Sequence, residues 1–142
     1  MTKTENSLFL LIGETLKFCQ CIEFDIKALY AIMAKGDSEE NLKNVEDLTL
    51  GEALKNLEEL DYSDDKPYLS KDDYKYLSKI NTKRNHIVHK TFQEYLYYPE
   101  PLNYELFEKE FDYVKSFHDE LEKLYKLIEN IRIEAIDVYK KD

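Results

Sequence analysis

The sequence predicts an all-α fold, a four-helix up-and-down bundle whose first and last helices are long. Three glycines and three prolines among 142 residues leave few turns to build, which is typical of a chain with a few long helices. Apolar residues recur three and four positions apart over long segments, the spacing that puts them on one face of a helix. The length suits one domain, so we predict a single helical domain over residues 1–142 with an ordered core of about 5–139.

The first helix is predicted from about Glu5 to Lys35, where Gly36-Asp37-Ser38 provides a stop signal. Its apolar stripe consists of Ile12, Leu16, Cys19, Ile22, Ile26, Leu29 and Met33. The segment from Asn41 to Asp47 is polar and is predicted to be a loop. A shorter second helix follows and ends near Asp61. Its stripe consists of Leu50, Ala53, Leu54, Leu57 and Leu60.

A capping box is predicted to open the third helix, because Ser70 is followed three positions later by Asp73. The same helix is predicted to end near Tyr95. Its apolar residues are Leu77, Ile80, Ile87 and Val88.

The fourth helix is predicted to begin after Pro99 and Pro101, which cannot continue the third helix. Asn103 is suited to cap its first turn. Its apolar stripe consists of Phe107, Phe111, Val114, Phe117, Leu121, Leu124, Ile128, Ile131, Ala135 and Val138. Four helices of this kind are typical of a bundle.

Charge and cysteine usage limit the classes of partner and compartment. The formal net charge of −10 argues against binding nucleic acid through the whole surface, so any such contact must be confined to a local basic region. Cys19 and Cys21 point to different faces of a helix and cannot easily bridge each other, which favours a reduced, cytoplasmic protein. No apolar run approaches the roughly 18 residues of a membrane span, and no signal peptide is predicted.

Arg84 lies where the third predicted helix should carry an apolar side chain. The chain has two arginines, Arg84 and Arg132, against 18 lysines, so a rigid and permanently charged group stands where lysine is the usual choice. On a helical wheel, Arg84 falls among Leu77, Ile80, Ile87, Val88 and Thr91. A buried charge needs a partner, and Glu23 on the apolar face of the first helix is the predicted one. The alternative is an ion pair that only fixes the packing of the helices.

Two further faces of the third helix are polar. A basic ridge is formed by Lys79, Lys83, His86 and Lys90. Asn85 and His89 belong to an uncharged strip, and their spacing of four allows the amide to hydrogen-bond the imidazole. Arg84 and His89 are about 140° apart on an ideal helix, so a two-fold dimer is the simpler way to bring them together. His86 and His89 lack a third ligand, and we predict neither a metal site nor a cofactor.

The run Arg84-Asn85-x-x-x-His89, late in the third helix of a small bundle, resembles the R-x4-6-H motif of HEPN domains. The resemblance implies a metal-independent endoribonuclease that acts as a homodimer, with the motif at the shared face. It makes Arg84 and His89 catalytic and Asn85 a supporting polar residue, while the basic ridge would bind RNA. It also implies a toxin or effector of a toxin–antitoxin or anti-phage system, with an antitoxin or nucleotidyltransferase as partner.

In the HEPN branch that pairs with a nucleotidyltransferase, the motif commonly continues His-x-Tyr, whereas Thr91 holds that position here.

Two other functions stay open at the level of sequence. A catalytically silent HEPN-like module could bind RNA or protein, and an unrelated helical dimerisation module could use the Arg/His pair for structure alone. The negative net charge favours these two, whereas the uncharged strip beside Arg84 favours a HEPN-like site.

Overall fold

A computed structural model describes residues 2–97 and 103–139 of the chain. These residues form helices without any strand, which confirms the all-α prediction. The described helices are α1 (Glu5–Met33), α2 (Ser38–Val45), α3 (Leu50–Asp61), α4 (Lys71–Leu77), α5 (Ile80–His89), α6 (Thr91–Leu96) and α7 (Tyr104–Val138). Seven helices stand where four were predicted, so the four-helix bundle is not confirmed.

The three longest helices agree with the sequence patterns. Helix α1 ends within two residues of the predicted stop, and Gly36 follows with a φ of 100°, a left-handed conformation that glycine adopts without strain. Helix α3 has the predicted end at Asp61. The amide of Leu106 donates to Asn103 Oδ1 at 3.0 Å, as expected for a cap at the start of α7. The predicted break at Pro99 and Pro101 lies outside the described residues.

Helix α2 occupies most of the segment that was predicted to be a loop. The Asp37 side chain accepts a hydrogen bond from the amide of Glu40 at 3.2 Å and so caps the first turn. Acidic residues in that turn also suit the positive end of the helix dipole. The loop prediction is therefore wrong. The eight-residue helix buries only Val45, so its sequence has no apolar stripe from which a helix could be predicted.

The prediction of a single third helix is also wrong, because the chain forms the three helices α4, α5 and α6 in its place. The predicted capping box of Ser70 and Asp73 is present at the start of α4. The first interruption follows Leu77, where the Ser78 hydroxyl donates to the carbonyl of Lys75 at 2.6 Å. The second is at Lys90, whose φ of −128° departs from helical geometry. Apolar spacing continues across both interruptions, which is why periodicity alone did not reveal them.

The described chain forms two compact units, and the assignment to a single domain stays a prediction. The first unit contains residues 2–19, 80–97 and 103–123, and it therefore holds the start of α1, all of α5 and α6, and the first part of α7. Its buried apolar side chains include Leu8, Leu11, Phe18, Ile80, Ile87, Tyr95, Phe107, Phe111, Val114, Phe117 and Leu121. Aromatic rings contribute much of this core, since Tyr95 and Phe107 pack edge to face at 5.0 Å between ring centroids.

The second unit contains residues 20–79 and 124–139, with the rest of α1 and α7 and all of α2, α3 and α4. Its buried apolar side chains include Ile22, Ile26, Leu29, Met33, Val45, Leu50, Leu54, Leu57, Leu69, Leu77, Leu124, Ile128 and Ile131. A capping box of Thr49 and Glu52 begins α3.

None of the described helices combines the length and apolar character that a bilayer span requires.

A buried ion pair joins α1 and α7 within the second unit. Arg132 Nε lies 3.1 Å from Asp25 Oδ1, and the Asp25 side chain is only 8% exposed. Burial raises the pKa of Asp25, and the nearby Arg132 guanidinium opposes this rise without cancelling it. Because the pKa is raised, the protonated carboxyl is the form that the folded state favours. The stability that this preference contributes is fully present below the ordinary value of 3.8 and is lost as pH rises from there through the raised pKa.

We expect Asp25→Asn to become relatively more stabilising as pH rises from about 4 to about 7. Asparagine mimics the neutral carboxyl, so variant and wild type should resemble each other most at the acidic end. Urea unfolding of both proteins across this range measures the difference in free energy of unfolding. If the variant instead becomes relatively less stable toward neutrality, the attraction of Arg132 outweighs the burial of the carboxylate.

Candidate functional site

Helix α5 carries all three residues of the predicted catalytic motif. Arg84 is half-buried, and Asn85 and His89 are exposed. His89 is the last residue of the helix, because Lys90 interrupts the helical backbone immediately after it. The His89 side chain is therefore exposed at the junction of α5 and α6, where a ligand can reach it. The described hydrogen bonds do not include the one predicted between Asn85 and His89.

The buried face of α5 is centred on Ile80 and Ile87, and not on Arg84. Both isoleucines are about 1% exposed, and at 100° a residue their mean direction lies about 50° from Arg84 and about 90° from Val88. Val88 is accordingly 52% exposed, so its assignment to the core was wrong. Arg84 stands at the edge of the buried face, where its stem can pack while the guanidinium stays within reach of solvent.

Arg84 and its predicted partner belong to different units. The described ion pairs of the first unit use Lys3, Lys83, His86, Lys115 and His118 as cations, and Arg84 is not among them. Glu23 lies 3.8 Å from Lys27, one turn further along α1. The pair of Arg84 with Glu23 stays a prediction.

The predicted basic ridge contains two exposed side chains and two that contact other residues. Lys79, in the second unit, and Lys90, in the first, are exposed. His86 Nε2 lies 2.9 Å from Glu110 Oε2, and its ring lies 4.7 Å from that of Tyr113. The ridge therefore includes a histidine that packs against α7.

Lys83 also lies against α7. Its Nζ is 3.8 Å from a Glu120 carboxylate oxygen and 5.5 Å from the centre of the Phe117 ring. Lys83 is half-buried in this position. Two of the four predicted RNA-binding residues thus have acidic neighbours that would compete with a phosphate.

Glu110 is the site residue that the sequence reasoning missed. It is 8% exposed, although most glutamates are solvated, and it accounts for the position of His86. Burial raises the pKa of the neighbouring Tyr113, and the Glu110 charge adds to the rise. A signal was present, since Glu110 follows Phe107 by three positions and precedes Val114 by four, which places it on the apolar stripe.

Exposed apolar side chains lie beside the motif in the same unit. Phe9 is 50% exposed, Phe92 is 37% exposed, and their rings meet edge to face at 5.9 Å. Val88 precedes Phe92 by four positions. Thr91, which was compared with the tyrosine of the His-x-Tyr pattern, is fully buried.

No protein-family model matches the chain, and comparisons with curated proteins and with solved structures found no similar protein. The residues of α5 and their surroundings are therefore the features of the chain that point to a function. These offer a half-buried arginine, an exposed histidine at the end of α5, and exposed apolar side chains in the same unit.

Proposed function

We propose that this protein is a metal-independent endoribonuclease of the HEPN type that acts as a homodimer. The observation that carries the proposal is the placement of Arg84, Asn85 and His89 on one helix, with His89 exposed at its end and Arg84 outside the described ion pairs of its unit. We also propose that α1, α3, the α4–α6 segment and α7 correspond to the four helices of the predicted bundle, with α2 as an addition between the first two.

The proposed reaction is attack of a ribose 2′-hydroxyl on the adjacent phosphorus. The bond between phosphorus and the 5′-oxygen breaks, leaving a 2′,3′-cyclic phosphate and a new 5′-hydroxyl. One His89 accepts the 2′ proton and the other copy's His89 donates a proton to the leaving oxygen, since imidazole exists in both protonation states near neutrality. Arg84 binds two phosphate oxygens and stabilises the charge that develops on them.

The basic ridge supplies the proposed RNA contacts. Lys79 and Lys90 are exposed, while Lys83 and His86 would have to exchange Glu120 and Glu110 for phosphate oxygens. Affinity should therefore fall steeply with salt. As the resemblance suggests, we further propose a toxin or effector in a toxin–antitoxin or anti-phage system, held in check by an antitoxin or nucleotidyltransferase partner.

Cleavage assays with and without the 2′-hydroxyl test the proposed chemistry. The protein is incubated with three labelled substrates in buffer that contains a chelator. They are a single-stranded RNA, a DNA of the same sequence, and the same RNA with one 2′-deoxy nucleotide at the mapped cleavage position. We expect cleavage of the RNA alone, with a cyclic phosphate at the new 3′ end. Cleavage at the deoxy position, or activity that needs a divalent ion, would refute the mechanism.

A second candidate function is a catalytically silent module that binds RNA or protein and forms a dimer. The exposed and touching rings of Phe9 and Phe92, together with the exposed Val88, favour it, since exposed apolar groups in one region are typical of interaction sites. Glu110 and Glu120 beside the ridge also reduce its attraction for RNA. Dimerisation at this surface is compatible with both functions, whereas RNA cleavage occurs only in the first.

We expect Val88→Glu to weaken dimerisation by at least about 100-fold, because a two-fold interface would bury the new charge in both copies. Analytical ultracentrifugation over a range of concentrations measures the dissociation constant. Val138→Glu is a matched control, since Val138 is 62% exposed and lies in the second unit. A wild-type protein that stays monomeric, or two variants with the same dissociation constant, would contradict an interface at Val88.

A further inference from the structure

A buried histidine lies among three carboxylates in the first unit, apart from the α5 motif. His118 on α7 is 6% exposed, and its ring packs against that of Phe18 at 5.5 Å. Its Nε2 atom is 3.1 Å from Glu14 Oε2 on α1, and its Nδ1 atom is 2.9 Å from Asp119 Oδ1. The carboxylate of Glu122 completes the group, because one oxygen of each glutamate and a ring nitrogen of His118 lie within 4.8 Å of one another.

We propose that Glu14, His118 and Glu122 bind a divalent transition-metal ion of the zinc class. In a tetrahedral zinc site, metal–ligand distances of about 2.0–2.2 Å place the ligand atoms about 3.3–3.6 Å apart. Glu14 and His118 are already close to that separation. Both glutamates are half-buried, and in the proposed site a rotation about the outer side-chain bonds of Glu122 would bring the third ligand atom into place.

In the proposed site, a hydrogen bond from His118 Nδ1–H to Asp119 would select the form of the imidazole that a metal needs. A carboxylate that accepts from Nδ1–H fixes the proton there and leaves the Nε2 lone pair directed at the ion, as is usual for metal-binding histidines. Lys115 holds that carboxylate in turn, with Nζ at 2.7 and 2.8 Å from its two oxygens. The group thus contains an outer hydrogen-bonding layer as well as three ligands.

The ligand set indicates the class of ion. One imidazole and two carboxylates suit zinc, manganese or iron, whereas magnesium and calcium prefer all-oxygen sites and copper(I) prefers sulfur. Three protein ligands leave a fourth position for water. The ion would clamp α1 to α7 within the first unit, since Glu14 lies on one helix and His118 and Glu122 lie one turn apart on the other.

The competing explanation is a protonated His118 that bridges Glu14 and Asp119 without any metal. Titration with a metal ion distinguishes the two explanations, because only the first includes binding at Glu14, His118 and Glu122. A chain with a formal charge of −10 also attracts cations diffusely, so binding must be shown to depend on the named ligands. Glu120→Gln is the matched control, because it removes one negative charge from the same helix two positions from both His118 and Glu122.

The test is titration of chelator-treated full-length protein with zinc by calorimetry and with cobalt(II) by visible absorption. We expect about one ion per chain, an intense cobalt band typical of tetrahedral coordination, and a higher melting temperature for wild type and Glu120→Gln. The double variant Glu14→Gln/Glu122→Gln should bind at least about 100-fold more weakly and lose both effects. Wild type that shows no saturable binding, or a control that loses as much as the double variant, would overturn the site.

A third variant keeps the test decisive if the double variant does not fold. Asp119 is 49% exposed, so Asp119→Asn removes the outer carboxylate with little disturbance of packing. We expect it to weaken zinc binding by about 10–100-fold. Unchanged zinc affinity in Asp119→Asn would overturn the proposed arrangement. RNA cleavage does not enter this test, so the metal site and the ribonuclease proposal stand or fall separately.

Discussion

Arg84→Ala and His89→Ala are each expected to lower the rate of RNA cleavage by about 10²–10⁴-fold. His89 is exposed at the end of α5, so its removal deletes a proton donor and acceptor without opening a cavity. Arg84 is half-buried, and the alanine variant also loses the packing of its stem. Arg84→Lys separates the two effects, because lysine keeps the charge and the stem but cannot bind two phosphate oxygens in a fixed fork.

Single-turnover cleavage of one labelled RNA measures the effect, and thermal unfolding shows whether each variant stays folded. Lys55→Ala is a control for the loss of a positive charge, since Lys55 is exposed on α3 in the second unit. The double variant Arg84→Ala/His89→Ala should cleave RNA only slightly more slowly than the less active of the two single variants, because the effects of residues that act as a unit are strongly non-additive. Folded variants that cleave within about twofold of wild type would remove Arg84 and His89 from the proposed chemistry.

The sequence predicted helices well where the apolar stripe was long and the ends were chemically marked. Helices α1 and α7 carry several turns of buried residues, and Asn103 and Gly36 mark two of their ends. Helix α2 has no such stripe, and the break at Lys90 uses neither glycine nor proline. Such a break is set by tertiary packing, which periodicity does not record.

The candidate site was predictable in its position and less so in its surroundings. The sequence placed Arg84, Asn85 and His89 on a helix, as found. It could not supply the direction of the core, which lies toward Ile80 and Ile87 and leaves Val88 exposed. That direction depends on which neighbouring segments α5 meets, and a helical wheel drawn around one residue contains no such information.

Asp61→Ala is expected to lower the free energy of unfolding by about 3–5 kcal/mol. The side chain is 2% exposed at the end of α3, and it organises the turn that leads to α4. The amide of Tyr68 donates to Oδ1 at 2.8 Å, and the amide of Leu69 donates to Oδ2 at 3.1 Å. The Tyr74 hydroxyl donates to Oδ2 at 2.7 Å. Alanine would leave three donors without their acceptor.

The magnitude follows from the number and burial of the donors. Each buried donor left without a partner costs about 1–3 kcal/mol, and water entering the vacated space recovers part of the sum. Burial raises the pKa of Tyr74, and its hydrogen bond to Asp61 raises it further, so the phenol stays a donor throughout the neutral range. Tyr74→Phe removes only that one bond and should cost about 0.5–1.5 kcal/mol.

Urea unfolding followed by far-ultraviolet circular dichroism measures the three free energies, with Asp65→Ala as the control. Asp65 is exposed in the same turn, so its removal should change stability by no more than about 0.5 kcal/mol. The order of cost should be Asp61→Ala, then Tyr74→Phe, then Asp65→Ala. An Asp61→Ala protein as stable as the Asp65→Ala control would show that water satisfies the turn as well as the carboxylate does. In that case the turn between α3 and α4 would not depend on its buried acid.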